Sequence, residues 1–242
     1  MELDGKVALV TGGASRVGRA ISAALMDHGC HLVIHFYQSR EGAMDLVRTA
    51  ESGGLRAIAA RADLRHEEDV KALFQAVDEQ FGGLDILVNS AADMPSGDLL
   101  TAGLDDWERT MGLNLRGPFL CIQAAAQRMR GRSGVIINIT DVATERAWTR
   151  FPIYSISKAG LEMLTRLAAR SLAPGIRVNA IAPGLILRSP DTSQDRWEAL
   201  YGALPLKRPG DPEDVARGVI FLCQNEFITG ETLVIDGGRH LI

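Results

Sequence analysis

The chain has 242 residues, 46% of them hydrophobic and 23% charged, with a formal net charge of −4. A chain of this length buries most of its apolar surface and needs neither disulfides nor metal to stay folded. The mildly acidic balance contains no Lys/Arg block, which excludes the electrostatic footprint of a nucleic-acid or anionic-lipid binder, and no apolar run reaches the roughly eighteen residues of a membrane span.

In chain order, the opening "MELDGKVALVTGG" has no basic-then-apolar leader, so a soluble cytoplasmic protein is expected. Short runs rich in Val and Ile predict strands over 6–13, 30–36, 56–63, 84–91, 134–140, 176–184 and 231–238. Between them, apolar residues at helical spacing predict a helix in 16–29, stopping at Gly29, and another within the stretch 67–83, stopping before Gly82 at residue 81. Alternating strands and helices with near-continuous apolar strands imply an α/β fold: a doubly wound parallel seven-stranded sheet covered by helices on both faces. No linker, repeat or low-complexity tract divides the chain, which reads as one dinucleotide-binding domain over 1–242. Residues 185–210 hold turn residues around one short helix and are expected to form a flap over a substrate, because segments after strand C-termini border the ligand crevice. Cys30, Cys121 and Cys223 form no C-x-x-C pair and read as reduced thiols.

"TGGASRVG" (11–18) follows the first strand and opens the first helix. Gly12 permits the tight turn, Gly18 allows helix and strand to approach closely, and the free N–H groups at the helix start suit a pyrophosphate. An NAD site commonly places an acid about twenty residues further on. From Gly18 to Arg40 the only acid is Asp27, inside the first helix, while Ser39, Arg40 and Arg16 offer a hydroxyl and guanidinium forks. That set suits a 2′-phosphate, which a carboxylate would repel, so NADPH is the expected cofactor.

"YSISK" sets Tyr154 and Lys158 one helical turn apart. An ammonium near a phenol stabilises the phenolate, so Lys158 is expected to lower the Tyr154 pKa and make it a proton donor and acceptor near neutral pH.

Together with "LVNSAA" (87–92), "NLRG" (114–117), "RVNAIAPG" (177–184) and "ITGETLVIDGG" (228–238), these motifs resemble the short-chain dehydrogenase/reductase family over nearly the whole chain. The resemblance implies a Rossmann-type fold in which Asn114, Tyr154 and Lys158 match the catalytic Asn, Tyr and Lys. Tyr gives the proton, Lys binds the nicotinamide ribose, and Asn positions a water in the proton relay. Ser15, Val17, Asp63, Leu64, Asn89, Ala91, Pro183, Gly184 and Leu185 then fall among the cofactor contacts, with Asp63 and Leu64 flanking the adenine.

Asp141 departs from that pattern: the family usually has Ser thirteen residues before the Tyr, bonded to the substrate carbonyl. Hydride attack on a ketone builds negative charge on oxygen, and a carboxylate at 4 Å opposes it by roughly 4 kcal/mol at an effective dielectric near 20, about a thousandfold in rate. A C=N acceptor is cationic once protonated, and an Asp stabilises it. The pteridine reductases and the similar dihydromonapterin reductases carry Asp here. They also resemble this chain at Arg16, in the pattern from His35 to Ser39, in "APGLIL" (182–187) and in the ending "FITGETLVIDGGRHL". Where they have a stacking aromatic this chain has Met94, and before Ser39 it has Gln38. Met94, Asp141, Leu187 and Arg188 are the expected substrate contacts.

The five histidines show no metal-ligand spacing and read as surface or structural. Trp107, Trp148 and Trp197 are assigned to packing, with Trp148 and Trp197 in segments expected to border the pocket. The expected activity is NADPH-dependent reduction of a pterin-like or other C=N substrate. The alternatives are a carbonyl reductase of the 3-oxoacyl-carrier-protein type and, more remotely, a cofactor-binding regulator without turnover. Two small-residue-rich helices, beginning near 113 and 157, exceed what one core needs, and similar enzymes bury them in homotetramers or homodimers.

Overall fold

The computed structural model describes residues 1–144, 146, 148–189 and 192–242. Among these, seven parallel strands form one sheet in the order β3-β2-β1-β4-β5-β6-β7. The strands are β1 (Val7–Thr11), β2 (His31–Phe36), β3 (Ala57–Arg61), β4 (Ile86–Asn89), β5 (Gly134–Ile139), β6 (Ile176–Pro183) and β7 (Thr232–Ile235). Every residue of β1, β4 and β5 is buried, as a sheet covered on both faces requires. The order reverses between β1 and β4, and this switch point opens a crevice at the strand C-termini.

Helices α1 (Arg16–Asp27), α2 (Arg40–Ser52) and α8 (Pro212–Gln224) cover one face, where Ile21, Leu25, Leu46 and Val219 pack on Ala8, Val10 and Ile86. On the other, α3 (Glu67–Phe81), α5 (Gly117–Arg128) and α6 (Pro152–Leu172) bring Phe74, Cys121 and Ala168 onto Leu9, Leu87 and Ile136. α4 (Leu104–Met111) leads into a π-helical turn at Gly112–Arg116, and α7 (Gln194–Gly202) is the short helix within 185–210. Pro190 and Asp191 of that segment lie outside the described residues.

The predicted strands occur, each trimmed by one to four residues. β4 and β7 lose the most, and β7 stops at Ile235 because Gly237 and Gly238 take positive φ and turn the chain back. α3 ends on Gly82 in the left-handed conformation, the usual helix stop. Among the described residues no helix is long and apolar enough to cross a membrane.

Candidate active site

The crevice is a cavity of about 1520 Å³, lined at one end by the glycine-rich turn and at the other by α7 and the chain's last turn. At the turn, Gly12 has φ 64 and donates its N–H to Nδ1 of His35 at 3.0 Å. That bond requires a lone pair on Nδ1, so Nε2 carries the hydrogen and donates to the Ala62 carbonyl at 3.1 Å. Burial lowers the His35 pKa to about 4, so the ring is neutral and ties the turn to the segment after β3. A Cβ on Gly18 would run into the Gly12 carbonyl oxygen. The Ser15 side chain makes no cap hydrogen bond and the first turn of α1 has no acid, so its N–H groups face the cavity without an internal acceptor. A helix start of this kind is a ready anion site.

Gly12, Ser15, Arg16, Val17, Gly18 and Ser39 all line this end. Arg16 does so with φ 51, a left-handed conformation that costs a non-glycine residue about 1 kcal/mol. Arg40 is not brought in; it is exposed on the first turn of α2, off the cavity wall. Asp63 and Leu64 do line the wall. The Asp63 carboxylate accepts from Arg65 Nε at 2.8 Å and from the Arg65 N–H at 3.1 Å, and this guanidinium holds it below the usual carboxylate range. Ala91 lines the cavity, its N–H bonded to Thr11 Oγ1 at 3.1 Å. Asn89 does not: it is buried beneath, donating to Asn138 Oδ1 at 2.9 Å. Pro183, Gly184 and Leu185, where β6 ends, complete the wall.

At the centre, β5 delivers Asp141 two residues past its end, opposite the first turns of α6. Tyr154 and Lys158 share one face of α6 and are 6% and 2% exposed. The Tyr154 hydroxyl donates to Asp141 Oδ2 at 2.8 Å, while Oδ1 accepts the Ala143 N–H at 2.8 Å. Lys158 Nζ donates to the Ile139 carbonyl at 2.8 Å and lies 5.6 Å from the Tyr154 ring centroid. Burial raises the Asp141 pKa against the pull of the Ala143 N–H, Tyr154 and Lys158. Burial also brings Lys158 down to about 8, although Asp141 favours its charge.

The expected lowering of the Tyr154 pKa does not occur: burial, then the Asp141 carboxylate, holds the phenol well above its ordinary range. The Lys158 ammonium points to a backbone carbonyl, and the group nearest the phenolic oxygen is an acid. Burial thus shifts both Tyr154 and Asp141 toward their protonated forms, and one hydrogen bond links the two acids.

Asn114 sits in the π-helical turn, fully buried and off the cavity wall. Its side chain accepts the Asp93 N–H at 2.8 Å and donates to the Asp93 carbonyl at 2.8 Å and to Ser157 Oγ at 3.0 Å. The side-chain amide is thus fully used in fastening the loop after β4.

Met94 and Leu187 line the substrate end, both partly exposed. Arg188 does not; its guanidinium donates to the Thr192 carbonyl at 2.6 Å. Trp148 and Trp197 are on the wall; Trp107 is not. Two features escaped the sequence reading. Asp93 and Arg109 pair across the mouth at 2.8 Å, and Arg239 reaches the cavity from the end of the chain with its Cζ 4.3 Å over the Trp148 ring. The Gly237–Gly238 pair, which demands a sharp turn just before Arg239, was the available signal.

A family model described as enoyl-(acyl carrier protein) reductase matches residues 12–240. A 3-oxoacyl-[acyl-carrier-protein] reductase of Staphylococcus epidermidis is 35% identical, the match covering 98% of this chain and 99% of the relative. Among solved structures, an alternative dihydrofolate reductase of Brucella canis, FolM, complexed with NADP, superposes with a TM-score of 0.94 at 31% identity, covering 100% of this chain and 96% of that one. A blue fluorescent protein from a metagenomic library, complexed with NADPH, gives a TM-score of 0.92 at 36% identity and covers 99% of both chains.

Proposed function

The chain belongs to the short-chain dehydrogenase/reductase family, and on that premise we propose that it is an NADPH-dependent reductase of a C=N bond in a pterin-like or related cyclic imine. The carrying observation is the buried hydrogen bond between Asp141 Oδ2 and the Tyr154 hydroxyl, 2.8 Å long.

NADPH, when bound, supplies the hydride. The uncapped start of α1 and the close Gly12–Gly18 approach suit its pyrophosphate, and Arg16 and Ser39 suit its 2′-phosphate. Lys158 holds the ribose end and keeps positive charge beside the reacting atoms. Reduction adds one hydride to carbon and one proton to nitrogen. The Asp141–Tyr154 pair delivers that proton, and its remaining negative charge faces a nitrogen that was cationic when the hydride arrived. Asn114 acts as a positioning residue by fixing the Asp93 loop. Met94 and Leu187 cover a flat substrate ring, the 185–210 segment closes over it, and the exposed Ile156, Met163 and Leu167 along α6 suit packing into a cytoplasmic homotetramer or homodimer.

A carbonyl reductase is the second reading. It draws support from the 3-oxoacyl-[acyl-carrier-protein] reductase relatives and from the raised Asp141 pKa, since a protonated Asp141 would donate to a carbonyl oxygen. The test follows NADPH consumption with 7,8-dihydrobiopterin, a cyclic imine and acetoacetyl-coenzyme A in parallel. Turnover of the first or second at least a hundredfold above the thioester is expected; turnover of the thioester alone rejects the proposal.

A further inference from the structure

Charge on the cavity wall is unevenly paired. Its acids are all engaged: Asp63 by Arg65, Asp93 and Asp106 by Arg109 at 2.8 and 2.9 Å, and Asp141 by Tyr154. Three arginines of the substrate end are not. Arg150 lies against the Phe151 ring at 5.6 Å, and Arg196 projects from the first turn of α7. Arg239 is the most enclosed of the three, half-buried on Trp148. Among the described residues, the side chains of these three make no hydrogen bond or ion pair to an acceptor. A half-buried guanidinium without an acceptor carries a desolvation cost that an incoming anion would relieve.

The backbone holds Arg239 in place. The Asp236 carboxylate accepts the N–H of Gly238 at 2.8 Å and, through Oδ2, the N–H of His240 at 2.7 Å and its Nδ1 at 2.8 Å. Gly238 takes φ 85, and a Cβ there would strike Pro205, so the turn admits only glycine. Arg146 Nη1 donates to the Arg239 carbonyl at 3.3 Å. The charged groups that bear on the guanidinium are Asp141, Arg146 and Asp236. Arg239 lines the same cavity as Asp141 and Trp148.

Resting on the reductase reading above, we propose that Arg239, stacked on Trp148 and supported by Arg150 and Arg196, forms an anion subsite that binds an acidic tail of the substrate, a carboxylate or a phosphate. The planar fork on an indole face is pre-organised for bidentate binding of either oxyanion.

The experiment compares wild type, Arg239→Gln and Arg239→Lys with three dihydropterins: 7,8-dihydrobiopterin (neutral tail), 7,8-dihydrofolate (carboxylates) and 7,8-dihydroneopterin 3′-monophosphate. In wild type, kcat/KM should favour one acidic substrate at least tenfold over the neutral one, and which one assigns the oxyanion. R239Q should lower that preference at least tenfold, mainly through KM, with partial recovery in R239K. In parallel, N-(4-aminobenzoyl)-L-glutamate and phenyl phosphate are titrated by calorimetry into the NADPH-loaded enzyme. Weakening of either by at least tenfold in R239Q supports the subsite even if no pterin turns over, in which case only the C=N reading falls. A preference unchanged within twofold in R239Q, or no binding of either anion to wild type, overturns the subsite.

Discussion

The two ends of the cleft are built differently. The cofactor end is built around one contiguous turn between β1 and α1, buttressed by buried strand ends and by the neutral His35 bridge. The substrate end is assembled from the connections after β4, β5, β6 and β7, and its side chains are largely charged or exposed. A pyrophosphate is met by backbone, which any sequence with the right glycines provides; a substrate is met by side chains, which must be brought together from distant positions. One end is therefore suited to a shared cofactor, and the other is free to vary.

Perturbing each end separately should sharpen this contrast. At the boundary between the two, Tyr154→Phe removes the hydroxyl that bonds Asp141 and should lower kcat about a thousandfold, with the Kd for NADPH, read by fluorescence titration, within threefold of wild type. A comparable loss in NADPH affinity would mean that the two ends are not separable.

The cofactor end carries a pH signature of its own. His35 has a folded pKa of about 4 against 6.5 in the open chain, so its contribution to stability is complete above pH 6.5 and is lost as pH falls toward 4. The span corresponds to about 3 kcal/mol. Urea unfolding at pH 7 and pH 4.5 should show His35→Gln losing less stability than wild type across that interval, since the amide offers the same acceptor and donor without titrating. Equal losses would remove His35 from the account.

Arg16→Ala should have the smallest effect, raising the KM for NADPH about tenfold while that for NADH stays within twofold. A matching rise for both cofactors would take Arg16 out of 2′-phosphate recognition.

The same contrast governs what could be read without coordinates. Gly12, Gly18, Tyr154 and Lys158 were legible because their spacing is local: a turn that only glycine permits, and one helical repeat. The strands were legible because burial on both faces leaves continuous Val and Ile. That Arg40 and Arg188 stand off the cavity wall was not legible, because position along a chain does not give side-chain direction; one is exposed on the first turn of α2, and the guanidinium of the other donates to the Thr192 carbonyl. The direction of the Tyr154 shift was misjudged because an i, i+4 spacing to Lys158 says nothing of the carbonyl that captures the ammonium or of the burial that dominates. Arg239 was invisible for a third reason: it approaches Trp148 across ninety-one positions of sequence, and only the folded sheet brings them together.

The proposal that Asp141 serves a nitrogen centre is tested most directly by Asp141→Asn, which keeps the side-chain size but removes the charge and one of the two acceptor oxygens that hold the Tyr154 hydroxyl and the Ala143 N–H. With a saturating cyclic imine or dihydropterin, kcat should fall at least a hundredfold. With acetoacetyl-coenzyme A it should fall no more than threefold, or rise, because a charge that opposes the developing alkoxide is gone. Equal losses on the nitrogen and oxygen substrates would contradict the account.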